Sequence, residues 1–146
     1  MDMKKSVLMV SMVLMVMGLL SSCTKDDSNN PDYLSANISG INWSSNNIYG
    51  GTDTTGYTFI EADNDDGSLF YLNIPNSASG TYSVASNGDC SVQYIDPQGG
   101  SYSIQDGSIS INSPLFSGMN GNFQGAGIND INCQDQLSIS GSFSIN

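Results

Sequence analysis

From Leu137 to Ile145 the chain alternates strictly. Leu137, Ile139, Gly141, Phe143 and Ile145 fall on one side, and Ser138, Ser140, Ser142 and Ser144 on the other. A period of two predicts a β-strand with one buried face, because successive side chains of an extended backbone point to opposite sides. The same alternation sets Tyr102 and Ile104 against Ser101, Ser103 and Gln105, and Ile109 and Ile111 against Ser108, Ser110 and Asn112. Asp106-Gly107 lies between these two runs. It is a dipeptide that favours a two-residue hairpin, so a turn is expected there. Strands are also expected over 57–62 and 68–74, flanking the turn-forming 63–67, and over 34–38, 80–84, 91–95 and 118–124. The segments between them carry Gly, Asn, Ser and Pro, the residues that tight turns require. No run after residue 22 has a helical period.

The predicted fold is therefore all-β: an antiparallel barrel or a two-sheet sandwich. Sheet edges favour the barrel. Exposed edges are normally blunted by lysine, proline or inward-pointing charge. The segment 33–146 has no lysine, and Pro75, Pro97 and Pro114 all read as loop residues. Closing the sheet removes the edges altogether.

The N-terminus follows a different pattern. Lys4 and Lys5 precede an apolar run over 7–20 that contains Ser11 and Gly18. The run is shorter than the roughly 20 residues a spanning helix needs. A basic start, a short apolar stretch and small residues make an export signal. Leu20-Ser21-Ser22-Cys23 resembles the lipobox of bacterial lipoproteins. That resemblance implies cleavage between Ser22 and Cys23 and lipidation of Cys23 as a diacylglyceryl cysteine, with palmitate as an acyl chain. Two or more chains anchor a soluble domain stably without a spanning helix. The implied partners are the membrane, through the lipid anchor, and the lipoprotein processing and export machinery. Lys25, Asp26 and Asp27 resemble the export signal of Bacteroidetes-type surface lipoproteins, which implies an outer-membrane protein facing the cell exterior. A non-lipidated signal cut after Ser22, and a plain polar tether, are the alternative readings of the same residues. The chain thus divides into a signal peptide at 1–22, a tether at 23–32 too polar to fold by itself, and one β domain at 33–146.

Charge narrows the chemistry of that domain. The only basic residues of the chain are Lys4, Lys5 and Lys25, and there is no histidine. Nucleic-acid affinity rests on Lys and Arg contacts to phosphate, so nucleic acid is not an expected partner. Histidine-dependent nucleophilic catalysis and His-ligated zinc are excluded. Hydrolysis by paired carboxylates survives as an enzyme class, with Glu61, Asp89, Asp96, Asp106 and Asp130 available. Nearly all of these sit beside Gly, Asn or Pro as turn residues do. No catalytic residue and no cofactor is therefore expected. Glu61, Asp63, Asp65 and Asp66 form a dense acidic cluster, but the EF-hand frame fails: counted from Asp63, Ser68 and Ile74 stand where glycine and the bidentate glutamate belong. The expectation is a solvated hairpin tip and no metal site. Cys90 and Cys133 remain once Cys23 is lipidated. In an oxidising compartment they can pair, which is worth about 4 kcal/mol in the chain-entropy picture; the alternative is two buried free thiols.

Ala36-Asn37-Ile38-Ser39-Gly40-Ile41-Asn42-Trp43, Gly80-Thr81-Tyr82 and the closing 139–144 segment resemble recurring pieces of small Bacteroidetes-type surface lipoproteins. The resemblance implies a calycin-like, lipocalin-related β domain of unknown function. Trp43, Tyr94 and Tyr102, with Tyr49 and Tyr57, could stack on sugars, or fill the core. Together these features point to a non-catalytic structural or interaction component of the cell envelope, with an envelope protein as partner. The alternative is a glycan- or small-ligand-binding module of a surface uptake system.

Overall fold

A computed structural model of the chain describes residues 31–52, 54, 56–75, 79–85, 88–112 and 118–146. The signal peptide, Cys23, Lys25, Asp26 and Asp27 lie outside these residues. The described strands are β1 (Tyr33–Ile38), β2 (Ile41–Ser45), β3 (Asn47–Thr52), β4 (Tyr57–Asp63), β5 (Leu69–Pro75), β6 (Gly80–Val84), β7 (Ser91–Ile95), β8 (Ser101–Ile111), β9 (Met119–Asn129) and β10 (Gln136–Ile145). They form one antiparallel sheet in the order β2-β1-β10-β9-β8-β7-β5-β4-β3, and β6 pairs beside β7 along the same side of β8.

The two ends of this order, β2 and β3, are consecutive in the chain, so the sheet curls into a nearly closed barrel. Ser45 marks the seam. Its hydroxyl donates to the Asp63 carbonyl at 2.5 Å and accepts from the Asn47 amide at 2.9 Å. The Asn47 side-chain amide donates to the Asp63 carboxylate. Followed across the ladder from Ser45 through Leu34, Phe143 and Gly121, the pairing reaches β8 at Ile111. Followed the other way from Asp63 through Leu69 and Ile95, it reaches β8 at Ser101. The two paths arrive at opposite ends of one strand, which is the stagger a tilted barrel requires.

Alternation decides what lies inside. Leu34, Ile60, Phe70, Leu72, Ile74, Val92, Ile109, Phe123, Ile139 and Phe143 are all buried. Phe70 is central, with ring centroids 4.9 Å from Trp43, 4.9 Å from Tyr94 and 5.6 Å from Phe123. Such aromatic clusters add attraction beyond the apolar area they bury.

The expected hairpin at Asp106-Gly107 does not form. Both residues lie inside the single strand β8, where the register to β9 steps from Ile104↔Gly127 to Asp106↔Ala126. Gln105 is the extra residue of a β-bulge, which shifts the inward face from even to odd positions as a turn would. A two-residue turn with both φ values positive occurs instead at Ser39 (50°) and Gly40 (93°), joining β1 to β2. β2 and β3 had no counterpart in the predicted strands, and β9 extends through Gly125 and Gly127 to Asn129.

Candidate functional site

Among the described residues the large apolar side chains pack inward, and the outside of the barrel has two unlike faces. On β2, β1, β10, β9, β8 and β6 the outward positions form two neutral rows. One runs Asn42, Asn37, Ser140, Gln124, Ser108, Ser83, and the other Ser44, Ser35, Ser142, Asn122, Ser110, Thr81. Neighbours bond along the rows: Asn37 Nδ2 to Asn42 Oδ1 at 3.1 Å, Ser35 to Ser142 at 3.1 Å, and Thr81 to Ser110 at 2.9 Å. A groove of about 610 Å³ lies over the β2–β9 part of this face.

The second face covers β3, β4, β5 and β7. Its outward positions carry Tyr49 (57% exposed), Phe59 (47%) and Tyr71 (38%). Tyr49, Glu61, Tyr71 and Gln93 are consecutive cross-strand neighbours. Phe59 sits one step along, opposite Gly51 and Asn73. A Cβ on Gly51 would come within 3.1 Å of the Phe59 ring, so the glycine leaves the ring a seat on the sheet. The Gln93 amide is fixed by Ser101 Oγ at 2.8 Å and Asp130 Oδ2 at 3.3 Å.

The expected stacking residues lie elsewhere. Trp43 and Tyr94 are only 7% exposed and point into the core, which leaves no ring face open to a ligand. Trp43 donates Nε1–H to the buried Ser68 hydroxyl at 2.7 Å. Tyr102 is half-buried and stacks on Tyr94 at 6.3 Å. Burial, then the charges of Asp96 and Asp66, push the Tyr94 phenol above its ordinary range. Of the three exposed rings, Tyr49 is a stacking candidate from the sequence, whereas Phe59 and Tyr71 are not. The signal available was apolar residues on both sides of one strand: Phe59 beside Thr58 and Ile60, and Tyr71 between Phe70 and Leu72.

The expected Cys90–Cys133 bridge is also absent. Both thiols are free, with Cys90 buried and Cys133 exposed. Cys90 packs among core residues beside Val84, whereas Cys133 sits in the turn after β9 with φ of 54°. The acidic cluster divides by strand geometry. Glu61 faces outward mid-strand, and Asp63 is taken by Asn47. Asp66 accepts from the Ser68 amide and hydroxyl, and those bonds hold its carboxyl below the usual range. Among the described residues no group of three or more His, Cys, Asp or Glu is arranged to hold a metal. Asp96 caps its own turn through the Gln98 and Gly100 amides. For Asp130, burial pushes the carboxyl upward, but hydrogen bonds from Ser101, Ser103 and Gln93 together bring it below the ordinary value.

Neither a protein-family model, a curated protein nor a solved structure matches this chain.

Proposed function

We propose that the protein is a non-catalytic interaction component of the cell envelope, held to the outer membrane by lipid on Cys23 and displayed toward the exterior by Lys25-Asp26-Asp27. The observation that carries the interaction reading is the division of side chains: the large apolar ones fill the barrel, and the outer faces carry exposed aromatics and neutral polar rows. A nearly closed antiparallel barrel supports the calycin-like architecture that the lipoprotein resemblance implies. An interior packed in this way favours surface contact over carriage of an enclosed ligand. The lipobox and the acidic segment after it support the location. Replacing Cys23 with Ala abolishes incorporation of a tagged fatty acid in cells. Replacing Lys25, Asp26 and Asp27 together with Ala leaves acylation intact but protects the protein from protease added to whole cells. Unchanged labelling in the first variant, or unchanged shaving in the second, removes the corresponding half of this reading.

The neutral rows support a second reading, binding of an uncharged glycan in the groove. Asn122 and Gln124 offer paired donors and acceptors to sugar hydroxyls, beside Ser140 and Ser142. A screen of neutral oligosaccharides against the parent and an Asn122→Ala, Gln124→Ala variant tests it. A ligand lost in the variant supports the groove; no ligand, or one bound equally by both, excludes it.

A further inference from the structure

Glu61 is placed unlike Asp63 and Asp66 beside it. Asp63, Asp66, Asp96, Asp130 and Asp135 each accept a hydrogen bond from a neighbouring side chain or backbone amide. Among the described residues the Glu61 carboxylate receives none. It stands between two tyrosines, directly opposite Tyr49 on β3 and Tyr71 on β5. Residues so paired have Cβ atoms about 4.5–5.5 Å apart, and the two tyrosines are about 10 Å apart across two strand spacings. No cation within the domain can pair with Glu61, because 33–146 contains no Lys, Arg or His.

We propose that the Tyr49–Glu61–Tyr71 row docks an arginine from a basic segment of a partner protein. The inference rests on the reading as an interaction component and names the chemistry of its partner. Charge complementarity selects the occupant. Every side chain of the domain that is charged at neutral pH, from Asp53 to Asp135, is a carboxylate, so the field repels anions and draws cations in. The row then selects among cations. Cross-strand spacing puts a tyrosine on either side of a guanidinium seated on Glu61, close enough for cation–π attraction to add to the ion pair. Its planar fork matches a carboxylate and its weak hydration suits an aromatic surround, whereas the lysine ammonium is compact and strongly hydrated. Asp63, two positions along the same face of β4, adds a second negative charge, and Phe59 and Asn73 extend the contact surface along the neighbouring row.

The test is a titration of the purified full chain with fluorescently labelled hexa-arginine and hexa-lysine peptides, read by anisotropy. The arginine peptide binds the more tightly, and its affinity falls as salt rises from about 0.05 to 0.5 M. Glu61→Gln keeps the shape of the side chain and weakens binding roughly tenfold, as loss of a charge-assisted pair does. Tyr71→Leu weakens it as well. Asp106→Asn removes the same charge from an exposed position on β8 and changes affinity by less than about twofold. Equal losses in Glu61→Gln and Asp106→Asn would mean non-specific attraction to an acidic protein and would overturn the proposal. So would equal affinity for the two peptides. Salt-insensitive binding of a neutral hexasaccharide that Tyr71→Leu abolishes would assign the face to sugar instead. Circular dichroism melts of each variant separate lost binding from lost fold. Peptide binding in solution needs no lipid, so failure here leaves the anchorage reading standing, and failure of acylation leaves this one standing.

Discussion

Gly141 on β10 lies directly opposite Phe123 on β9, and a Cβ there would run into the phenyl ring and approach the Ser35 carbonyl oxygen to 2.5 Å. The arrangement is reciprocal two residues away, where Phe143 on β10 covers Gly121 on β9 and a Cβ would meet its Cζ at 2.8 Å. Each ring occupies the space that its partner's missing side chain leaves. Gly141→Ala should therefore destabilise the fold by about 1–3 kcal/mol, the usual cost of overpacking. Ser140→Ala, on the outer face beside it, should cost less than about 0.5 kcal/mol. Urea unfolding of the two variants checks the contrast.

Trp43 and Ser68 tie β2 to the turn between β4 and β5, across the seam of the barrel. Ser68 is fully buried, and its hydroxyl also donates to Asp66. Trp43→Phe leaves that hydroxyl without its donor and should cost about 1–3 kcal/mol. Ser68→Ala leaves the indole N–H unpaired. A double-mutant cycle should find the two losses less than additive, since either change breaks the same bond. Strict additivity would show that the bond does not couple them.

Acid should weaken the fold through Asp66 and Asp130, whose carboxyls are held below the ordinary value of 3.8. Their unfolded forms take up protons at higher pH than their folded forms. The stability they contribute is thus present above 3.8 and is lost as pH falls through the lower folded-state values. The melting temperature should drop more steeply from about pH 4 to 2 in the parent than in an Asp66→Asn, Asp130→Asn variant. Parallel curves would remove these two groups from the acid response.

The two thiols should react very differently. Burial, then the nearby charge of Asp89, pushes the Cys90 thiol up to about 11, while Cys133 is exposed. Thiolate is the reactive form. In protein whose Cys23 is lipidated or replaced by Ala, iodoacetamide at neutral pH should add one label to the native fold, at Cys133, and a second only after denaturation. Rapid double labelling, or none in unreduced protein, would contradict this arrangement.

Local pattern and packing part company most clearly in β8. Asp106-Gly107 carries a strong hairpin signal, and the apolar positions change phase across it as a turn would make them. A single-residue bulge makes the same phase change, and sequence cannot tell the two apart. Packing can. A Cβ on Gly107 would stand 2.7 Å from Ile104 Cγ2, and one on Gly125 would stand 2.5 Å from the same atom. Both glycines make room for Ile104 under paired strands; neither is there to turn the chain. Gly127 does the same for Ile139. These glycines read as loop signals in one dimension and as close packing in three.

The all-β character, the inward residues of most strands and the neutral Ser and Asn positions outside are legible in the chain alone, because a period of two is local and each residue's side follows from its neighbours. Its charge inventory, with no cation after Lys25, also needs no structure. Closure of the sheet by β2 and β3, the interior placement of Trp43 and Tyr94, and the unpaired thiols of Cys90 and Cys133 come only from three-dimensional packing. It alone brought Tyr49, Glu61 and Tyr71 into one outward row. Those outcomes depend on strand order and register between residues distant in the chain. They are fixed by which side chains fit together in one shared interior, a condition no local pattern carries.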